Sequence, residues 1–432
     1  MALTLLMASG LALAAGVGSA GAQSSVVGPG ESIQKAINAA DSGDTIVVRG
    51  VHREDMVIRK DGIKLRGDDA VIKPPARADS PCSKFFGPEA ICVRGDVNFE
   101  HYFETNEVNK RVKDVSVSSF TIRGFKEGGR DGENALSIDV LAARNATVVG
   151  NRTTGNVTGG IVVGGSVNTT VAKNDVIGIP ETDADGILVE GESRNTTVVK
   201  NVVRNVPEDH NAIEVNEGID TTIAENDLIG NWLGVDVEDS PRTKVLSNVV
   251  SRFGIVGALV IGQKSQDAKV VGNNISGGPW GIFITDAHGG SVVGNKVHDN
   301  CAGMFFEAFA SQPVGGFGVK GNTVEDNTRS CQGAKFGRNF SGIGIALLGA
   351  SGMEVTGNHL SGNVPSGSTA VSGGVVVAVD PYFGGTTKPT NNSVTGNHFG
   401  RNKPDIFWDE SGSGNHFVGN LCNTSVPTRL CN

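Results

Sequence analysis

Apolar residues in this chain recur in short alternating runs, such as Gly186-Ile187-Leu188-Val189-Glu190, each bounded by Gly, Asn, Asp or Ser. No stretch of the main body carries the spacing of an amphipathic helix. The pattern predicts brief strands joined by tight turns. Superimposed on it is a longer period. Eleven times, an apolar residue is followed three positions later by asparagine, at Asn151, Asn174, Asn201, Asn226, Asn248, Asn273, Asn295, Asn322, Asn358, Asn397 and Asn420. Two residues after the asparagine the chain is apolar again, except at Thr153. Most repeats are 22–27 residues long, with 36 and 39 where loops intrude.

A period of this size marks a solenoid, in which each unit buries its apolar face only by stacking on its neighbours. The expected fold is all-β: a single-stranded right-handed parallel β-helix, since parallel crossovers take that hand in about 98% of cases. Asparagine suits the corner because it tolerates left-handed backbone angles and its amide can bond the next coil. Glycine, 61 of 432 residues, supplies the remaining corners. Aromatics are 5%, so stacked Val, Ile and Leu must fill a narrow interior. About a dozen coils at ~4.8 Å each give a rod roughly 55–60 Å long.

The ends read differently. Residues 1–22 are apolar and finish in Ala20-Gly21-Ala22, as a secretory signal does. No Lys or Arg precedes Lys35, so an uncleaved membrane anchor is the alternative. Residues 23–432 then form one β-helix domain without a linker. Glu31 to Ala40 places Ile33, Ala36, Ile37 and Ala40 on one helical face, an amphipathic cap over the first strand. Residues 78–112 read as a charged surface loop carrying Phe85, Phe86, Tyr102 and Phe103. Phe407 and Trp408 are placed to close the last coil.

Six cysteines fit an oxidising compartment. Proximity favours the pairs Cys82–Cys92, Cys301–Cys331 and Cys422–Cys431 among fifteen possible connectivities. No C-x-x-C spacing supports zinc. A net charge of −9 argues against nucleic acid and anionic membranes, whose phosphates demand a basic face. It is compatible with sugars. The expected protein is a secreted monomer that binds or modifies a polysaccharide, with a non-catalytic surface or structural protein as the alternative.

The segments Gly30-Glu31-Ser32-Ile33-Gln34 and Gly43-Asp44-Thr45-Ile46-Val47-Val48, together with the V-x-x-N turns, resemble pectin-lyase-like right-handed β-helix proteins and NosD-like repeats. The resemblance covers residues 25–432. It implies the fold but no single activity, because this architecture hosts lyases, hydrolases, epimerases, adhesins and copper-accessory proteins. The polygalacturonase set is absent, and Ala287-His288-Gly289-Gly290 only echoes its G-H-G element. The D-P-H-D of mannuronan epimerases is missing, Asp380-Pro381-Tyr382-Phe383 standing in its place. The W-I-D-H of pectate lyases is missing too.

A candidate site comes instead from strand register. Aligning the coils on Gly186, Ala212, Gly234, Ala258, Gly281 and Gly303 sends Ile187, Ile213, Val235, Leu259, Ile282 and Met304 inward. Glu190, Glu214, Asp236 and Glu238 then share one exterior face over three coils. Rung spacing puts Glu214 and Asp236 ~4.8 Å apart and Glu190 and Glu238 roughly 10 Å apart. Glycosidase carboxyl pairs stand about 5–5.5 Å apart in retaining enzymes and 6.5–9.5 Å in inverting ones. His210 is a further acid or base. Asp183, Asp185, Asp209, Trp232 and Trp280 are expected along one edge of the same strands, with Lys264, Asp286 and His288 extending the row as substrate contacts. Calcium is the alternative occupant of the acids, and a plain solvated strand face is the competing account. His359 and His398, each following a corner asparagine, are expected to stack as a minor metal site.

Overall fold

The computed structural model describes residues 21–76, 89–98, 105–125, 136–156, 160–178, 185–254, 257–308, 314–332 and 339–431. Each coil contributes three short strands. Two of them flank the asparagine corner, as Thr197–Val199 and Val202–Arg204 do, and belong to a 25-stranded assembly. The third builds a separate 14-stranded sheet running from Met56–Ile58 to Ser425–Val426. All its pairings are parallel, so at ~4.8 Å per step the rod is roughly 60 Å long. Inside, one apolar column extends from Val27 to Leu430. Among the described residues no helix is long and apolar enough to cross a membrane.

The eleven asparagines stand in one column. Each Nδ2 donates to the Oδ1 of the next, at 2.9–3.1 Å through all ten links. The same oxygen accepts the backbone N–H of the previous asparagine, for example Asn226 N to Asn248 Oδ1 at 2.9 Å. Every buried amide is thereby satisfied along the rod. One part of the expectation needs correction: the left-handed residue is the one before the asparagine. It is Lys173 at φ +55°, Lys200 at +58° or Gly272 at +67°, which turns the chain so the amide can point inward. Asparagine itself takes left-handed angles at another corner, where Asn145, Asn168 and Asn195 have φ of +56°, +57° and +55°.

The expected helix is shorter than Glu31–Ala40, spanning Ile33–Ala39, with Ser32 Oγ accepting from Lys35 N at its start. Ile33 and Ile37 are buried. Gln34 reaches the free edge of Met56–Ile58: its Nε2 donates to Val57 O at 3.1 Å and its Oε1 accepts from Val57 N at 2.8 Å. One side-chain amide thus replaces a missing strand. The supposed loop 78–112 is also corrected in part, because Ile91–Arg94 is a fully buried rung between Met56–Ile58 and Ile138–Leu141. Phe85, Phe86, Tyr102 and Phe103 lie outside the described residues. At the far end Trp408 packs on Phe417, ring centroids 5.6 Å apart.

Two cysteine pairs are as expected, Cys301–Cys331 and Cys422–Cys431. Cys92 is disulfide-bonded; its expected partner Cys82 lies outside the described residues. Disulfides fit an extracytoplasmic location.

Candidate functional site

Register in the 14-stranded sheet follows the small residue that opens each strand. Ile187 pairs with Ile213, Ile213 with Val235, and Val235 with Leu259, all facing inward with no exposure. One residue on, Leu188, Glu214, Asp236 and Val260 form the outward row. Val189 pairs with Val215 and Asn216 with Glu238, so Glu190, Asn216 and Glu238 stand on successive rungs of a second outward row. The two rows bring Glu190, Glu214, Asp236 and Glu238 onto one wall.

That wall is not freely solvated. Glu190, Glu214, Asp236 and Glu238 are all half-buried. Asp185 sits just before the first of these strands, where Asn211 N donates to its Oδ1 at 2.6 Å while Asn211 Nδ2 donates to Glu214 Oε2 at 2.8 Å. Burial, then the Glu214 charge and a hydrogen bond from protonated Asp185 to that carboxylate, push Asp185 up to about 8. Asp236 is pushed up to about 8 by burial, then by Glu238 and Glu214. Its Oδ1 is buried and has no hydrogen-bond partner among the described residues. Glu190 rises to about 7 through burial and then the charges of Asp139, Glu214 and Glu217. Glu238 is raised by burial and Glu214, against a hydrogen bond from Gln263. Clustered, desolvated carboxyls hold protons near neutrality.

Behind Glu190 lies a feature that the repeat pattern did not indicate. Arg94 Nε bonds Asp139 Oδ2 at 3.0 Å and Arg94 Nη2 bonds Glu89 Oε2 at 2.6 Å, all three groups essentially unexposed. Burial raises both acids despite the guanidinium. Glu89, Cys92 and Asp139 lie near enough to share a metal ion. The donor chemistry does not suit one, because Arg94 occupies both carboxylates and Cys92 is in a disulfide.

The remaining expected contacts divide. His210 belongs with the acids, Nδ1 lying 3.9 Å from Asp185 Oδ1. Asp209 is exposed on the turn before it, and Asp183 lies outside the described residues. Trp280 is no open sugar platform. It is 7% exposed, packed against Phe283, Phe305, Phe340 and Phe383 at centroid distances of 5.3–6.0 Å. Distant loops bring Phe340 and Phe383 in, which local pattern cannot show. Trp232 is half-buried against the same cluster. Lys264, Asp286 and His288 do not extend the row. They lie past the trailing ends of Gly257–Ile261 and Trp280–Thr285, a strand length from the edge that holds Asp185 and Trp232. Lys264 is exposed, with Nζ 3.6 Å from Asp239 Oδ1. His359 and His398 do stack on neighbouring rungs, both exposed.

Among curated proteins none matches the sequence. Solved structures similar to this one include DFA-IIIase from Arthrobacter chlorophenolicus A6 in complex with DFA-III, 14% identical, covering 86% of this chain and 94% of that one at a TM-score of 0.50. The mannuronan C-5 epimerase AlgE4 A-module of Azotobacter vinelandii is also 14% identical, covering 91% and 92% at a TM-score of 0.42. At such identity the first likeness speaks to the fold alone. A right-handed β-helix family model matches residues 90–250. The model described as periplasmic copper-binding protein (NosD) matches 181–329 and 247–429, together more than half of the sequence, and the chain belongs to that family.

Proposed function

We propose that this is an extracytoplasmic β-helix protein, exported by residues 1–22, that binds a polysaccharide along the acidic wall and cleaves or rearranges it by acid–base chemistry. The observation that carries this reading is Asp236 on the rung next to Glu214, with Asp185 hydrogen-bonded to Glu214. A rung spacing of ~4.8 Å is close to the 5–5.5 Å of a retaining glycosidase pair. Asp236, holding its proton to about 8, is the general acid at neutral pH, and Glu214 is the base or nucleophile. Glu190 and Glu238 bond sugar hydroxyls on either side; His210 and Asp185 hold Glu214 in place.

The test is product analysis on neutral and uronate-containing polysaccharides, with Glu214→Gln and Asp236→Asn beside the native protein. Each substitution is expected to reduce turnover by about 10²–10⁴-fold. Full activity in both variants removes the site.

The unpartnered Oδ1 of Asp236 favours a second reading of the same wall, as a calcium site, since that ion collects six to eight oxygens at about 2.3–2.6 Å. Calorimetry without heat on calcium addition ends it. Copper, named in the family's description, fits the donor set poorly. Met56, Met304 and Met353 are buried in the core and Cys92, Cys301, Cys331, Cys422 and Cys431 are in disulfides, which leaves no soft ligand among the described residues.

A further inference from the structure

Near the N-terminal end, the rod presents a charged feature opposite in sign to the acidic wall. Arg53 pairs in register with Lys73. Ile72 pairs with Ile122, so Lys73 and Arg123 follow on neighbouring rungs, and Arg123 pairs with Thr154. These four residues, with Pro74, Gly124 and Gly155, line one recess of about 490 Å³.

At several other places the solenoid matches a cation on one coil to an acid on the next. Arg49 meets Asp68 at 2.7 Å, Arg152 meets Asp175 at 3.0 Å, Arg242 meets Asp220 at 2.7 Å, and Lys320 meets Glu354 at 2.7 Å. Arg53, Lys73 and Arg123 make no ion pair among the described residues. Glu54, the acid nearest in sequence, is spent on Ser32 Oγ and the helix amides of Ile33 and Gln34. Three like charges ~4.8 Å apart on successive rungs oppose one another. In a protein of net charge −9, a positive recess of this kind is maintained against the overall balance.

Its geometry suits a compact anion. Two guanidinium forks and an ammonium offer bidentate and point-charge donors to tetrahedral oxygens. Thr154 adds a hydroxyl. Gly124 and Gly155 turn left-handed beside them, at φ +83° and +63°, and among the described residues a Cβ there would meet nothing nearer than Pro74 Cδ at 3.8 Å. The floor is therefore open to a ligand close to the backbone.

We propose that this recess is a binding site for a phosphate-bearing ligand with at least two negative charges, such as a diphosphate or a phosphomonoester group. Its three unpaired cations match such a group better than they match single carboxylates. The ligand is either a free phosphate compound or the phosphate of a lipid headgroup.

Calorimetry at low salt with inorganic diphosphate, and flotation with vesicles containing phosphatidic acid, test the two sources on the full chain. Diphosphate heat, or flotation, is expected for the native protein. Arg53→Gln combined with Arg123→Gln should weaken either by at least about tenfold, and Arg123→Lys by less. Thermal melting of the variants, expected to stay within a few degrees of native, separates lost binding from lost folding. The proposal is overturned if neither probe binds native protein or if the double variant binds equally well. Tighter binding of trigalacturonate or oligo-dT than of diphosphate overturns it too. None of these outcomes touches the acidic wall, because Glu214 and Asp236 stay native throughout.

Discussion

The outward face of the 14-stranded sheet is built in one register along its length, yet its two halves are different environments. In the N-terminal half the outward row reads Asp139, Val162, Leu188, Glu214 and Asp236, acids at both ends and two apolar rungs between. In the C-terminal half the same row reads Val260, Phe283, Phe305, Ala346 and Val376. The second half is roofed. The Cys301–Cys331 disulfide holds one covering segment, and the turn where Asp380 accepts from Tyr382, Phe383 and Gly385 N–H holds another. Together they make a second apolar core outside the coil. Alternation says which way a side chain points, but not whether it meets water. Acids that remain half-buried in the other half, without apolar cover or cationic partners among the described residues, carry a desolvation cost that a solvated wall does not.

The largest expected effect breaks this comparison from the acidic side. Glu214→Gln should cost about 10²–10⁴ in turnover with the melting temperature unchanged or raised, since it removes a repelling charge. A large loss of stability instead would make the acids structural. On the aromatic side, Trp280→Ala should cost about 3–5 kcal/mol, read by chemical denaturation. If Trp280→Ala leaves stability intact but abolishes glycan binding, the roofed half is the working surface.

Much of this was legible in the sequence because the repeat is local. V-x-x-N carries its own reason: one apolar position, one corner and one amide, all within four residues. The opening small residue set the register of Ile187, Ile213 and Val235 for the same cause. A second ladder was equally legible and was missed. Asn300, Asn327 and Asn363, five residues after the corner, pass their amides on to Asn327, Asn363 and Asn402 at 2.9–3.0 Å. The burial of Trp280 was not legible, because it depends on Phe340 and Phe383 from inserted loops of no fixed spacing. Nor was the Arg94 triad, in which Glu89 and Asp139 meet across 50 residues.

The corner ladder is common to both halves and so serves as their control. Asn248 belongs to the coil that separates acid from aromatic rows. Asn248→Ala strands the backbone N–H of Asn226 and the amide of the same residue, both of which donate to its Oδ1 at 2.9 Å. The expected cost is about 1–3 kcal/mol, and hydrogen exchange should show both halves loosened alike. Loosening confined to one half would mean that the two fold as separate units.

Titration gives a gentler test of the acidic wall, although burial and then the Asp380 charge also push Glu307 of the roofed half up to about 9. Asp185, Asp236 and Glu190 hold protons in the fold to about 8, 8 and 7, against about 4 in the unfolded chain. The native state then binds more protons than the unfolded one between these limits. Stability from these groups is complete below pH ~4 and falls as pH rises towards ~8. The melting temperature should drop between pH 5 and pH 8. Asp236→Asn should flatten that slope, and millimolar calcium should restore the value at pH 8 if the wall is a cation site. A melting temperature that climbs over this range contradicts the assignment of raised values to these carboxyls.

The smallest effect tests which edge of the strands does the chemistry. Lys264 is an exposed cation on the trailing turn, paired only loosely with Asp239 at 3.6 Å. Such a pair contributes about 0–1 kcal/mol, so Lys264→Ala should change stability by less than ~0.5 kcal/mol. Turnover should stay within about twofold, because the lysine lies a strand length from Asp185 and His210 and shares no partner with them. The opposite result has a definite meaning. Beside Lys264, whose N–H donates to Asp286 O at 2.8 Å, Asp286 holds a buried Oδ1 with no hydrogen-bond partner among the described residues. A Lys264→Ala protein that is inactive, beside an active Asp236→Asn protein, would move the working site to that turn and leave the acidic wall as a desolvated surface only.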